Sequence, residues 1–382
     1  MLFSDIVGEI RIETDEIATF IQHWFNPEDR VVITGRKVTP KVSKAQIMSF
    51  TRSAQEVCEL GQADWSGLSF ADESRWNVYF GVCPAIKDIE GPERGKESNV
   101  AYVPGVWADL DVKEGSFTST EDVMAFLYGL PIKPTLVVGS GSGGVHAYWK
   151  FAPGEKGDKE HLDRWWSFLD ETAVGKSIDK LTDTTRMLRV PGTIYFPKQE
   201  AEDQKMGAVT LIHYSTDVYT VAQIESISEQ AYKTKREKRN KIVMEDHRRR
   251  DNIDLTGTVL DDGSVWMKRL VISQLESEVN EKMPWADILE PHGWVMRRKQ
   301  GDDSLEWARP LQDGRSAVTD YEDSHVMSLL SSSVDTRLAD LKDAGIVLTK
   351  YRVLLRLGFD DDENAMVHSL IAHMVKQPDT GL

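Results

Sequence analysis

Residues 134–151 read as a strand, a turn of glycine and serine, and a second strand, and this hairpin limits what the chain can be built around. The turn, Gly139-Ser140-Gly141-Ser142-Gly143-Gly144, formally fits the Gly-x-Gly-x-x-Gly pattern of a dinucleotide-binding fold. That fold needs a helix directly after the turn, with its N-terminus on the pyrophosphate. Here Val145-His146-Ala147-Tyr148-Trp149-Lys150-Phe151 follows, β-branched and aromatic, so the turn joins two strands. A Rossmann arrangement is excluded. Backbone N–H groups of such a turn can still face a phosphate. Ser142, Gly143 and the adjacent His146 are candidates for that contact.

The rest of the chain reads as mixed helix and strand, an α+β protein. Residues 14–25 have helical spacing, with Thr14 or Asp15 as the cap. Residues 30–35 and 76–83 read as strands. Residues 120–129 open on a capping signature and end in glycine, which predicts a helix. A Trp-rich helix is expected at 160–172, with strand-like residues at 187–196 and 207–214. From 219 to 241 the pattern is helical and increasingly basic, and 242–264 reads as a polar linker. Beyond it lie a hairpin over 294–310, turning at Gly301-Asp302-Asp303, and helical residues 350–376. This gives a domain at 1–218, a basic helix and linker at 219–264, and a smaller, partly helical domain at 265–382.

Composition removes several classes. No run of ~18 apolar residues exists, so no membrane span is expected. The first residues carry acids where a signal peptide needs bases, and the expected location is the cytoplasm. Cys58 and Cys83 are the only cysteines, too few for a disulfide framework or a Cys-rich zinc module. The net charge of −16 argues against a protein that simply coats DNA, yet residues 232–250 hold nine Lys/Arg against three acids.

Asp109 and Asp111 stand two apart in the expected strand 106–113. Period two puts both carboxylates on one face, ~6–7 Å apart, where they repel unless protonated or bridged by a cation. A hard ion such as Mg²⁺ or Mn²⁺ suits oxygen ligands and substrate phosphates. A lone Asp-x-Asp is more often a solvated strand end, but the flanking Val106, Trp107, Ala108, Leu110 and Val112 point to a buried central strand. Downstream, Asp179 or Asp183 could supply a third carboxylate, and Arg186 and Arg189 could hold phosphates. Two apparent P-loops fail. Gly175-Lys176-Ser177 has Asp170 where the first glycine belongs, and Gly95-Lys96 is followed by Glu97.

In this order, Asp109-Leu110-Asp111, Ser142 to His146, Ile178-Asp179 and Arg186 to Thr193 resemble the archaeo-eukaryotic primase superfamily, in particular the primase-polymerases of phages and plasmids. Residues 77–84 and Arg94-Gly95-Lys96 look like the phage branch as well. The resemblance covers residues ~75–215 well. It implies a primase catalytic domain with an RRM-like antiparallel sheet, Mg²⁺ or Mn²⁺ on Asp109, Asp111 and Asp179, and His146 on the incoming triphosphate. Arg94, Lys96, Arg186 and Arg189 would neutralise phosphate charge. The implied activity is primer synthesis or extension from NTP or dNTP on single-stranded DNA by a two-metal mechanism. With no motor motif in the chain, a separate replicative helicase is expected as partner. The chain departs from the pattern at Tyr195, where relatives often have Asn, and at Lys198, one residue late. Two rival readings use the same residues. A metal-dependent nuclease would need the acids but no triphosphate, and a non-enzymatic initiator would bind DNA through residues 232–250.

Overall fold

A computed structural model of the chain describes residues 12–376 except 39–45, 72–73, 94, 114, 177, 198–205, 257, 259–264, 300–303, 312–315, 321–324 and 330–335. The chain divides into two units, Met1–Tyr232 and Lys233–Leu382, both of α+β type. In order, the first contains α1 (Thr14–Trp24), β1 (Arg30–Lys37), β2 (Ile47–Ser53), α2 (Ala54–Glu59), α3 (Gln62–Ser69), β3 (Trp76–Gly81), β4 (Gly105–Leu110), α4 (Thr120–Gly129), β5 (Leu136–Gly139), β6 (Val145–Lys150), α5 (Lys159–Thr172), β7 (Met187–Arg189), β8 (Ile194–Tyr195), β9 (Gly207–Ala208) and β10 (Thr210–Tyr214). A long helix, α6 (Val221–Asp251), begins in the first unit and ends in the second.

Two four-stranded antiparallel sheets frame the first unit, in the orders β2-β1-β3-β7 and β10-β5-β6-β4. Their strands are rich in Val, Ile and aromatic residues, which pack well on a pleated surface. In the second sheet Asp109 stands opposite His146, and Trp107 opposite Tyr148. Alternation therefore sends Trp107, Asp109, His146 and Tyr148 to one face, and Ala108, Ala147 and Trp149 to the other.

The Tyr148 face packs towards the first sheet. Its ring meets Phe20 at 5.1 Å and Trp24 at 5.2 Å, both from α1. Phe20 also meets Phe80 of β3 at 5.0 Å, so one aromatic cluster joins both sheets. On the opposite face α5 buries Leu162, Trp165 and Leu169, one helical stripe. Trp149 and Trp165 stack edge to face at 4.8 Å there. Acidic residues are costly in such surroundings, so the Asp109 face needs a compensating arrangement where the two sheets meet.

The second unit contains α7 (Val265–Lys282), α8 (Trp285–Leu289), β11 (Val295–Lys299), β12 (Leu305–Ala308), β13 (Ala317–Thr319), β14 (Val326–Leu329), α9 (Thr336–Asp343), β15 (Leu348–Thr349), α10 (Lys350–Gly358) and α11 (Glu363–Lys376). The strands form an antiparallel meander in sequence order. Trp285, Trp294 and Trp307 centre its core with α8, α9 and α10. A second cluster lies between α7, α10 and α11. Among the described residues, no helix is long and apolar enough to cross a membrane.

The structure corrects several expectations. Strand β4 is buried but lies at the edge of its sheet rather than in the centre. Period two reveals a strand's faces but not its neighbours. The N-cap of α1 is Glu13, with no side-chain cap bond, rather than Thr14 or Asp15. The basic helix runs on to Asp251, ten residues into the stretch read as linker, because Ile242 and Val243 pack against the second unit's core. Residues 350–376 are two helices. They break where Asp360 and Asp361 adopt φ of 47° and 66°, a left-handed conformation that Asp tolerates better than most residues. The turn expected at Gly301-Asp302-Asp303 lies outside the described residues.

Candidate active site

The site is assembled at the end of the seam between the two sheets. Asp109 is the last residue but one of β4, and Asp111 follows directly after the strand end at Leu110. Lys113 then turns back, and its Nζ donates to Asp111 Oδ2 at 2.8 Å and to both oxygens of Asp179 at 3.2 Å. One ammonium thus joins two carboxylates that are 68 positions apart in the chain. Asp109 is 26% exposed, while Asp111 and Asp179 are more open. Burial, then the charges of Asp111 and Asp179, push the Asp109 carboxyl up to about 7, against the opposing pull of Arg189 and Arg186. Asp183 does not join this group. It pairs with Arg186 at 2.5 Å.

His146 is only 3% exposed, and its Nε2 lies 3.7 Å from Asp109 Oδ1. Burial, aided by Arg189, pushes the imidazole down to about 3, so it is neutral and the contact is not an ion pair. Its Nδ1 is buried with no hydrogen-bond partner among the described residues. A neutral ring has one donor and one acceptor nitrogen, and an unpaired buried one costs about 1–3 kcal/mol.

The glycine-serine turn supplies the third wall. Gly141 has φ of +74°, and a Cβ there would stand 2.7 Å from Tyr195 Cβ. The turn is held from several sides. Thr120 Oγ1, at the start of α4, donates to the Gly143 carbonyl at 2.9 Å. The Ser140 and Ser142 hydroxyls are 3.0 Å apart. Arg189, at the end of β7, donates to the Ser140 carbonyl at 3.0 Å and to Ser142 Oγ at 3.2 Å. Its guanidinium also lies over the Tyr195 ring at 4.4 Å. The Pro191-Gly192 turn makes this possible. Gly192 has φ of +79°, and a side chain there would collide with the Glu13 carbonyl. The turn brings Tyr195 back beneath Arg189. The run Arg-x-x-Arg-x-Pro-Gly-Thr is thus a device for aiming Arg189 at the glycine-serine turn. Gly207 packs so closely on Gly141 that a Cβ would overlap the Gly141 carbonyl oxygen. Gly207→Ala is therefore expected to destabilise the protein by about 1–3 kcal/mol, measured by chemical denaturation.

Lys96 is exposed and lines a small cavity of about 20 Å³ with Cys83, Thr184, Thr185 and Met187, the last two flanking Arg186 in the chain. Arg94 and Lys198 lie outside the described residues. Among the expected residues, the structure gathers Asp109, Asp111, Asp179, His146, Ser142, Gly143 and Arg189 at the seam. It adds two that the sequence reading gave no role. Lys113 was marked by its place two residues after the Asp-x-Asp pair, and Tyr195 by its departure from the expected Asn.

No protein-family model and no curated protein matches the chain. Three solved structures are similar to it. The cyanophage S-2L primase-polymerase, over its AEP domain, is 16% identical with a TM-score of 0.37, covering 56% of this chain and 97% of that one. The primase RepB′ is 15% identical with a TM-score of 0.41, covering 95% of this chain and 100% of that one. The catalytic domain of RepB′ in complex with initiator DNA is 18% identical with a TM-score of 0.35, covering 61% of this chain and 98% of that one.

Proposed function

We propose that the seam is a nucleotidyl-transfer site of the archaeo-eukaryotic primase type, and that the chain makes or extends primers on single-stranded DNA from NTP or dNTP. The observation that carries this reading is the convergence of Asp109, Asp111 and Asp179 with Arg189 and the glycine-serine turn at one end of the two sheets. Acids alone would serve hydrolysis as well. A glycine-serine turn beside them, held by the Arg189 guanidinium, is the kind of element whose amides can bind a triphosphate. The run β4-α4-β5-β6-α5, with its antiparallel sheet, supports the RRM-like reading of this domain.

The donor set fits a divalent metal. The carboxylates of Asp111 and Asp179 add to burial in raising the Asp109 pKa, and the group already holds one cation, the Lys113 ammonium. As the side chains lie, no group of three His, Cys, Asp or Glu among the described residues could hold a metal ion. Asp109, Asp111 and Asp179 would hold Mg²⁺ or Mn²⁺ once Lys113 swings aside. A bound metal would supply charge for the attacking and leaving oxygens.

The chain's own residues do the rest. Arg189 and the turn amides bind and orient the triphosphate, so that its α-phosphorus faces the 3′-hydroxyl and pyrophosphate leaves in line. His146, held neutral, offers one N–H to a phosphate oxygen without adding charge next to Asp109. Asp183 orients Arg186 towards phosphate, and Lys96, in the cavity lined by Thr184, Thr185 and Met187, would add positive charge on that side. Unwinding is left to a separate helicase.

The test is primer synthesis by the full chain with single-stranded DNA, NTP or dNTP, and Mn²⁺. Labelled strands longer than the input are expected. Shortened template with no incorporation would instead support a nuclease, and salt-sensitive DNA binding without either product would support a non-enzymatic initiator.

Two further outcomes follow from the contacts. Arg189→Ala removes a charged hydrogen-bond donor worth about 1.5–3 kcal/mol and should raise the nucleotide KM ~10- to 100-fold. Steady-state extension rates at varied nucleotide concentration measure it. Lys113→Met leaves Asp111 and Asp179 without their shared counter-ion. These groups are partly exposed, so the metal-free protein should lose only about 1 kcal/mol or less, a few degrees of Tm. Added Mn²⁺ should then raise the Tm more than in the unaltered chain, as thermal scans would show.

A further inference from the structure

Helix α6 changes character along its length. Within the first unit it buries Ile224, Ser228 and Ala231. Within the second, Ile242 and Val243 pack against the core. There Arg249 pairs with Asp246, and Arg250 pairs with Glu276 and Glu363. Residues 236–241 behave differently. All six, Arg236-Glu237-Lys238-Arg239-Asn240-Lys241, are exposed. Arg236, Lys238, Arg239 and Lys241 have no carboxylate partner among the described residues, in contrast to Arg249 and Arg250.

A helix that is polar all round takes nothing from packing there. Like charges at i,i+3, here Arg236 with Arg239 and Lys238 with Lys241, cost a few tenths of a kcal/mol each. Folding therefore gives no reason for this concentration of charge. The chain as a whole carries −16, so four unpaired cations in six residues run against its general composition. A flexible polyanion is the partner whose charge and shape match a short basic rod with cations on every side. A rigid surface would meet only one face of it, whereas a single strand can wrap around. Arg forks and Lys ammonium groups both bind phosphate without reading bases.

We infer that residues 236–241 are a sequence-independent binding segment for the phosphate backbone of single-stranded DNA, formed by Arg236, Lys238, Arg239 and Lys241. This deepens the primase reading and rests on it only for the choice of DNA as the polyanion. The segment would hold template while the seam carries out the chemistry.

The test uses the full chain and a fluorescent oligothymidine in EDTA, so that no metal-dependent step contributes. Affinity is read by anisotropy across a salt series. The variant Arg236→Gln/Lys238→Gln/Arg239→Gln/Lys241→Gln keeps good helix formers throughout, and circular dichroism checks its fold. Each phosphate contact on a single strand contributes ~0.7 to the slope of log K against log salt, so four lost contacts should flatten the slope by about 3 and weaken low-salt binding about 10-fold or more. The pair Arg236→Lys/Arg239→Lys keeps the charge and should keep the slope. An unchanged slope in the glutamine variant overturns the inference. Stronger binding of a duplex than of the single strand, lost in the same variant, overturns the assignment to single-stranded DNA. The synthesis assay is a separate readout. Primers made by a variant that binds DNA normally would sink only this segment. A loss of binding in a chain that makes no primers would sink only the catalytic reading.

Discussion

Replacing Asp109 and Asp111 together by alanine is expected to abolish primer synthesis, with a loss of 10³-fold or more set by the scale of electrostatic catalysis, where one well-placed group is worth ~10²–10³. The two carboxylates contribute most of the negative charge that meets Asp179 at the seam, and Asp179 alone cannot hold a divalent ion with useful affinity. The double variant should fold. Asp109 carries a raised pKa because its surroundings disfavour its charge, so removing it relieves repulsion rather than breaking a structural bond. Intact thermal unfolding beside lost synthesis would separate chemistry from stability. Asp183→Ala is the instructive control. Asp183 touches Arg186 and not the carboxylate group, so its loss should weaken nucleotide binding far more than it slows the step itself.

The largest expected effect on folding is Trp149→Ala. Trp149 is fully buried on β6, stacked on Trp165 of α5, and holds the helix layer to the sheet that carries Asp109 and His146. Truncating a buried aromatic costs about 3–5 kcal/mol, and an edge-to-face partner adds ~0.5–1.5 kcal/mol. A domain with a total stability of about 5–15 kcal/mol would lose a large share of it. Trp149→Phe keeps a ring against Trp165 and should cost well under half as much. Guanidinium titrations of both variants, followed by circular dichroism, check the ranking. Because the opposite face of β6 carries His146, synthesis should fall in Trp149→Ala only as far as the folded fraction falls.

The parts of the site that were readable in the sequence are those whose chemistry is local. A glycine-serine turn between β-branched runs can only join strands, and it does so at 140–144. Asp-x-Asp in an apolar run puts Asp109 on a strand, and Pro191-Gly192 marks the turn after Arg189. What was not readable depends on contacts far apart in the chain. Whether Asp179 or Asp183 neighbours Asp111 depends on the path of residues 178–186, a loop without periodicity. The edge position of β4 depends on pairing with β6 alone, which no local pattern encodes. Strand β2 and helices α2 and α3 passed unread because α3, for one, has Trp65 and Ser69 as its buried side among polar neighbours, too thin a stripe to stand out. The role of Lys113 is a tertiary matter too, since two of its three bonds go to an aspartate in another loop.

The central claim, that the seam transfers nucleotides to a strand, is tested most directly by counting both products of one reaction. The full chain is incubated with single-stranded DNA, a labelled nucleoside triphosphate and Mn²⁺, and incorporated nucleotide and released pyrophosphate are measured together. Attack on the α-phosphorus predicts one pyrophosphate for each phosphodiester bond formed, equal to the incorporated nucleotide less one per newly started primer, with both products lost in Asp109→Ala/Asp111→Ala. Release of inorganic phosphate without incorporation, fragments of the template, or equal yield from the double variant would contradict it.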